Sequence, residues 1–252
     1  MVIDRAVVER AFDGRAHTYD LGEMHRRLAE SVASFVDLDG VRDVLDVATG
    51  TGLLLRALPP DGLRFSGTDI SQRMLDEAVA HLPAASFRRA EASQLPFADA
   101  SFDLVTCVSA MPYLDPLASF AEWRRLIRPA GRIVITAWET DGIPSAVLLR
   151  TAAQEHGIAL QDPNAATGSL AELEGIAKGA DLRILRCNRW SYLAQAPDAA
   201  EMVNQIAPFG RTALNDASPE VRRAVERTLG ELISETRSFE QHSLFVELSV
   251  AR

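Results

Sequence analysis

The stretch VLDVATGTGLLLRAL, Val44 to Leu58, decides the fold. It reads as an apolar strand, a turn of small residues and an apolar helix. Such a turn lays backbone against a ligand, because Gly50 and Gly52 put no Cβ in the way. The loop alone leaves the ligand open. It is not a P-loop, since no G-K-[ST] follows. A dinucleotide loop starting at Gly50 would read G-x-G-x-x-G/A. This chain gives G-T-G-L-L-L, with Leu55 where a third small residue should allow close packing. The pattern that fits is D-x-(G/A)-x-G-x-G, carried by Asp46, Ala48, Gly50 and Gly52. Ala48 replaces the usual first glycine. It is expected to be harmless there, with a negative φ at which a Cβ costs nothing.

Outward from this stretch, short apolar runs alternate with amphipathic segments. Strands are expected at Val44–Val47, Arg64–Thr68, Ala85–Ala90, Leu104–Val108 and Arg132–Ala137. Helices are expected near Gly52–Leu58, Gln72–His81 and Leu117–Ile127, with RPAG turning the chain into the fifth strand. Alternation of this kind predicts an α/β fold with a doubly wound parallel sheet. Helical spacing in DRAVVERAFD and MHRRLAESVASFV makes residues 1–40 a helical lid or flank. Later come a helix at Ser145–His156, a loop QDPNAATGS, a strand at Leu182–Leu193 and a closing strand SLFVELSVAR. Residues 41–252 are expected to form the core, with a helical insertion at 197–236 covering a substrate site.

Three acidic residues fall where strands end: Asp46, Asp69 and Glu91. Singly, each has a bland reading; Asp69 or Ser71 would cap the following helix. In succession, after a glycine loop, they point to a ligand beyond the C-terminal strand ends. A carboxylate after the second strand suits a ribose diol, and one after the third suits an exocyclic amine.

The chain has 252 residues, a formal net charge of −9 and 47% hydrophobic residues. This is a soluble globular balance, and the negative charge argues against a nucleic-acid partner. The densest basic stretch, RRLIRPAGR, reads as a solvated helix end. No apolar run is long enough for a membrane span or a signal peptide, and Cys107 and Cys187 make neither a disulfide framework nor a metal-ligand spacing. A cytoplasmic protein without a metal is expected. Lys178 is the only lysine, in a chain rich in arginine and alanine, which suggests a GC-rich bacterial genome.

LDVATGTG, GTDIS..ML..A (Gly67 to Ala78), AEASQLPFADASFDLV (Ala90 to Val105) and EWRRLIRPAGRIVI (Glu122 to Ile135) together resemble the class I S-adenosylmethionine-dependent methyltransferases. The resemblance is to the small-molecule branch that includes quinone-biosynthesis C-methyltransferases and malonyl-carrier O-methyltransferases. It spans about Phe12 to Ala137. Ala48, Glu91 and Ala130 depart from the usual glycine, aspartate and glycine. The resemblance implies a Rossmann-like seven-stranded sheet of order 3-2-1-4-5-7-6 with strand 7 antiparallel. It implies S-adenosylmethionine as cofactor and S-adenosylhomocysteine as product. Asp46 and the backbone of Ala48, Thr49 and Gly50 would hold the methionine end, and Asp69 the ribose hydroxyls. Ile70 and Met74 would pack on adenine, and Glu91 with the Ala92 amide would read its edge. Cys107 would lie under the cofactor, and Tyr19, in HTYD, would close over it.

Methyl transfer mainly needs alignment, and a base only where the acceptor must lose a proton. Where several relatives carry a histidine after the fourth strand, this chain has Met111 and Pro112. The remaining candidates are His25 and His17 in the lid and Tyr113 at the substrate mouth. Trp123, Trp138 and Trp190 read as packing residues, with Trp138 best placed to face substrate. The substrate is expected to be a small metabolite methylated on O, N or C. A cyclisation or rearrangement using bound cofactor, and a non-catalytic binding module, stay open as alternatives. So does a homodimer.

Overall fold

The computed structural model describes residues 4–204, 212–234 and 236–251. Its centre is a seven-stranded sheet of order β3-β2-β1-β4-β5-β7-β6. The strands are β1 (Asp43–Val47), β2 (Arg64–Asp69), β3 (Ser86–Arg89), β4 (Phe102–Cys107), β5 (Ile127–Trp138), β6 (Leu182–Gln195) and β7 (Ser238–Val250). Strands β1 to β5 run parallel, and β7 pairs antiparallel with both β5 and β6. The seven-stranded order and the antiparallel strand match the expected fold class.

The central strands are buried on both faces because the pleat alternates. Val44, Leu104 and Val134 face α2 (Glu23–Phe35) and α3 (Leu53–Ala57), meeting Leu28, Val32 and Leu54. Leu45, Val105, Ile133 and Ile135 face the other way, onto Phe120 and Trp123 of α5 (Pro116–Leu126). Helix α4 (Gln72–His81) starts at Ser71, whose side chain accepts from the Met74 amide at 3.1 Å. In α5, Asp115 accepts from Ala118 N–H at 3.0 Å and Pro116 occupies the first turn.

Two expectations need correction. RPAG is not a turn before the fifth strand. It lies inside β5, where Ile127 pairs with Phe102 and the next pair is Arg132 with Leu104. The surplus residues bulge outward. A Cβ on Gly131 would stand 2.9 Å from Ile127 Cβ, so this glycine, not Ala130, fits the crowded position. Second, α7 (Leu170–Gly179) was not foreseen. Its signal was nonetheless written in the sequence as Ser169-x-x-Glu172, a capping box. Ser169 Oγ accepts from Glu172 N–H at 3.3 Å and also bonds the Glu172 carboxylate.

Helix α1 (Arg5–Arg15) buries only Val8. It is tied down by polar contacts: Arg5 to Glu91, Glu9 to Arg89, and Asp13 to the Ser71 hydroxyl at 2.5 Å. Asp20, in the following 3-10 segment Ala16–Leu21, bonds Thr51 and Arg56 below the glycine turn. Helix α6 (Pro144–Glu155) packs with α8 (Ala199–Asn204), α9 (Thr212–Asn215) and α10 (Pro219–Ile233) in a separate apolar cluster around Leu149, Val203, Leu214 and Leu229. The insertion expected at 197–236 falls on α8, α9 and α10, though residues 205–211 and 235 lie outside the described residues. The basic stretch at 124–132 is spent on ion pairs, of Arg125 with Glu122 and Asp99, Arg128 with Asp43 and Asp103, and Arg132 with Asp37.

Candidate functional site

A cavity with ≈ 700 Å³ of empty space lies beyond the C-terminal ends of β1, β2 and β4, under α1. Its position follows from the strand order, which reverses between β1 and β4. Asp69 ends β2 on its wall and is 8% exposed. One carboxylate oxygen accepts from Gly50 N–H at 2.9 Å, and the other from Ser71 N–H at 2.9 Å. The carboxylate thus ties the glycine turn to the start of α4. Burial pushes its pKa up to about 6, against the pull of these backbone hydrogen bonds.

The glycine turn is left-handed at Gly50 (φ +55) and Gly52 (φ +79). Ala48 is left-handed too, at φ +53, which overturns the negative φ expected for it. An alanine there costs about 1–2 kcal/mol. The turn is held by its surroundings: Thr49 N–H bonds Thr68 carbonyl at 2.9 Å, and Gly52 N–H bonds Thr49 carbonyl at 2.9 Å. The chain keeps a glycine conformation without the glycine, so the departure at this position is one of cost, not of shape. Ala48→Gly is therefore expected to stabilise the protein by up to about 1 kcal/mol, after allowing for the freer unfolded chain. Calorimetry should show a melting temperature about 2–4 °C higher; a lower one would contradict the strain.

Of the residues singled out for a cofactor, Tyr19, Ala48, Gly50, Asp69, Ile70, Met74, Glu91 and Ala92 lie on the cavity wall. Asp46, Thr49 and Cys107 are buried behind it. Asp46 accepts from the Thr106 hydroxyl at 2.6 Å, and burial pushes its pKa up to about 6. Burial also raises the Cys107 thiol, which keeps it protonated. Glu91 is already oriented: one oxygen accepts from Ser93 N–H at 2.8 Å and from the Ser93 hydroxyl, and the other sits 3.5 Å from Arg5.

A second, larger chamber opens beside the first, with ≈ 2190 Å³ of empty space counted together with its solvent-open mouth. Phe12, Tyr19, Ser109 and Tyr113 belong to both walls. Tyr113 meets Phe12 edge-on at 5.1 Å, and Tyr19 stacks on His25 at 4.4 Å. Of the candidate catalytic groups, Tyr113 and His25 face this chamber. His17 is exposed and stands on neither wall, so the structure separates it from the site. Burial, reinforced by the positive charge of Arg15, holds His25 down at about 4, so its imidazole is neutral at pH 7. Burial likewise raises the Tyr19 phenol. Trp138 also lines the chamber, and its indole N–H donates to Ser109 Oγ at 3.0 Å.

Sequence reasoning missed Ser109, Arg15 and the segment from Asp141 to Asn164 as wall residues. Ser109 is left-handed at φ +57, and its N–H donates to Thr136 Oγ1 at 2.8 Å. A non-glycine residue in that region is uncommon and gathers at ligand sites. Nothing in a serine codes for it in advance. Among the described residues, no helix is long and apolar enough to cross a membrane.

Residues 45–135 match a family model described as a methyltransferase domain. Over 240 residues the chain is 29% identical to the malonyl-[acyl-carrier protein] O-methyltransferase of Hahella chejuensis, covering 89% of this chain and 83% of the relative. It is 33% identical over 136 residues to the demethylmenaquinone methyltransferase of Beutenbergia cavernae, which covers 51% of this chain and 57% of that relative. A solved structure from Bacillus halodurans C-125 shares the fold at a TM-score of 0.63 and 16% identity, covering 89% of this chain and 99% of that one. Strand order, cavity position and these matches agree: the chain carries a stretch, residues 45–135, that matches a methyltransferase domain, and it is similar to methyltransferases over most of its length.

Proposed function

We propose that the cavity under α1 binds S-adenosylmethionine and that the neighbouring chamber presents a small metabolite for methylation on O, N or C. The observation that carries this is the convergence of Gly50, Asp69, Ile70, Met74 and Glu91 on one wall. The residues suit an adenosyl sulfonium. Asp69 would accept the ribose hydroxyls, Ile70 and Met74 would sandwich the adenine, and Glu91 with the Ala92 amide would read its edge. The backbone from Ala48 to Gly50, supported by Asp46 and Thr49, would cradle the methionine end, above Cys107. When bound, the cofactor supplies a methyl group already activated on sulfur.

The chain's own work is then alignment and the exclusion of water. Orientation of this kind can contribute about 7–11 kcal/mol. Tyr19, Phe12 and Tyr113, shared by both cavities, would form the partition across which the methyl passes. Their aromatic faces favour a cation. His25 is the one histidine on the chamber wall, but at about 4 it is a weak base at neutral pH. Transfer to an acceptor that is already nucleophilic fits this better than transfer needing a strong base. Helix α1 and the segment through Asp20 would act as a lid, and α6 with Met202 of α8 would wall the chamber, with α10 packed behind them. The matches to enzymes named for demethylmenaquinone and malonyl-carrier methylation support a biosynthetic setting in a bacterium.

Titration calorimetry with S-adenosylhomocysteine, S-adenosylmethionine and NAD tests the proposal. The first two should bind with heat and NAD should not. Silence with both adenosyl ligands would end it. A labelled-methyl assay against a metabolite panel would then find the acceptor.

A further inference from the structure

Most half-buried arginines near the two cavities face a carboxylate. Arg56 pairs with Asp20, and Arg150 lies against both Asp141 and Asp162. Arg15 does not. Its guanidinium lies 5.4 Å from the centroid of Phe12 and 5.1 Å from that of Tyr19, on the chamber wall, with no carboxylate within 4.0 Å among the described residues. Its place in the last turn of α1 suits the helix dipole. The dipole does not explain why the side chain lies across the two rings that divide the cavities. A cation–π contact uses none of the guanidinium N–H donors, which stay available to an anion.

The other charges on the chamber wall offer that anion nothing to compete with and no substitute. Arg150, Asp141 and Asp162 satisfy one another at the far end, where Asp162 also accepts from Asp141 N–H at 2.8 Å and Asn164 N–H at 2.9 Å. His25 beside Arg15 is neutral. Among the described residues, the near end of the chamber therefore carries one uncompensated positive charge, and Met24, Ile143 and Leu149 give the wall beyond it an apolar character.

The geometry points to an acceptor substrate that is an organic anion, with a carboxylate or similarly planar oxyanion held by Arg15 beside the partition and an apolar body extending into the chamber. This assignment rests on the reading of the two cavities as cofactor and acceptor sites. Arg15 is a specificity-determining residue: it selects and orients the acceptor, and takes no part in bonding to the methyl group.

Calorimetry with matched acids and amides tests it. The probes are 2-naphthoate against 2-naphthamide and octanoate against octanamide, each titrated with and without saturating S-adenosylhomocysteine. Wild-type protein should bind at least one acid about tenfold or more tightly than its amide. Arg15→Gln should erase that preference, and Arg15→Lys should keep part of it. Both variants should bind S-adenosylhomocysteine within about twofold of wild type, which also shows that they fold. Equal binding of acid and amide by wild type, or a preference that survives Arg15→Gln, overturns the assignment. So does a loss of S-adenosylhomocysteine affinity of tenfold or more in Arg15→Gln, since the guanidinium would then serve the cofactor's own carboxylate. If wild type ignores S-adenosylhomocysteine but prefers the acids through Arg15, the methyl-transfer reading fails alone and the anion site stands.

Discussion

Asp69→Ala weakens S-adenosylhomocysteine binding about a hundredfold or more, as the expected result of losing a charged acceptor for two hydroxyls. Hydrogen bonds to charged groups are worth about 1.5–3 kcal/mol each. A second loss adds to this. The carboxylate holds Gly50 N–H and Ser71 N–H, both at 2.9 Å, and its removal leaves two backbone donors without their partner. Stability should fall by about 2–4 kcal/mol, so affinity must be measured on variant shown to be folded. Asp69→Asn is the sharper comparison: its oxygen can still accept one amide, but the charge is gone. Unchanged affinity in both variants would remove Asp69 from the site.

The same carboxylate gives a pH signature. Burial raises Asp69 to about 6, above its unfolded value of 3.8, and Asp46 moves the same way. Between about pH 4 and pH 6 the folded protein then holds more protons than the unfolded chain. The stability that this contributes is full below pH 4 and is lost as pH rises to 6, by about 2–3 kcal/mol per carboxylate. Cofactor affinity runs the other way. On the proposed reading the ribose hydroxyls would donate to the ionised form, which is a minor species at pH 5 and dominant at pH 7.5. Calorimetry should find S-adenosylhomocysteine bound about tenfold more tightly at the higher pH. A flat profile would mean that Asp69 is ionised throughout.

Trp123→Ala should cost about 3–5 kcal/mol. The indole is fully buried against Phe120, with ring centroids 5.5 Å apart, and its N–H donates to the Ala92 carbonyl at 3.0 Å. The truncation opens a cavity beneath the sheet and also frees the backbone next to Glu91. A fall in melting temperature of roughly 10 °C is expected by calorimetry. Trp123→Phe keeps most of the packing and loses the hydrogen bond, so its cost should stay near about 1 kcal/mol. Equal losses in the two variants would place the whole effect in the hydrogen bond.

The strands and the residues gathered on the first cavity's wall were legible because their signals are local. Apolar runs of five or six residues, Ser71 before α4 and an acid at or near the end of each of the first three strands are all read within one short window. The handedness of Ala48 was not legible. Alanine favours negative φ, and only the strand pairings on either side of the turn force it over. Helix α7 was legible in the capping box Ser169-x-x-Glu172 that opens it. The acceptor chamber was the least legible part. Its wall gathers Arg15, His25, Ser109, Trp138, Asp162 and Met202 from segments far apart in the chain, and no periodicity links them. Tyr113 and His25 could be named as candidates only by residue type; His17 was named on the same ground and stands outside.

The two cavities divide the chain unequally. The wall of the first is drawn from residues 5–114 and shares its strand-end part with the stretch matched by the methyltransferase family, 45–135, whereas the second takes much of its wall from 11–25 and 138–241. If the cavities hold donor and acceptor as proposed, a lineage can rewrite the acceptor while leaving the methyl donor's seat alone. Chimaeras that graft flanking segments from a relative onto the central block should exchange one trait and inherit the other. For the same reason, likeness confined to the central block bears on the proposed donor site and is silent about which metabolite receives the carbon.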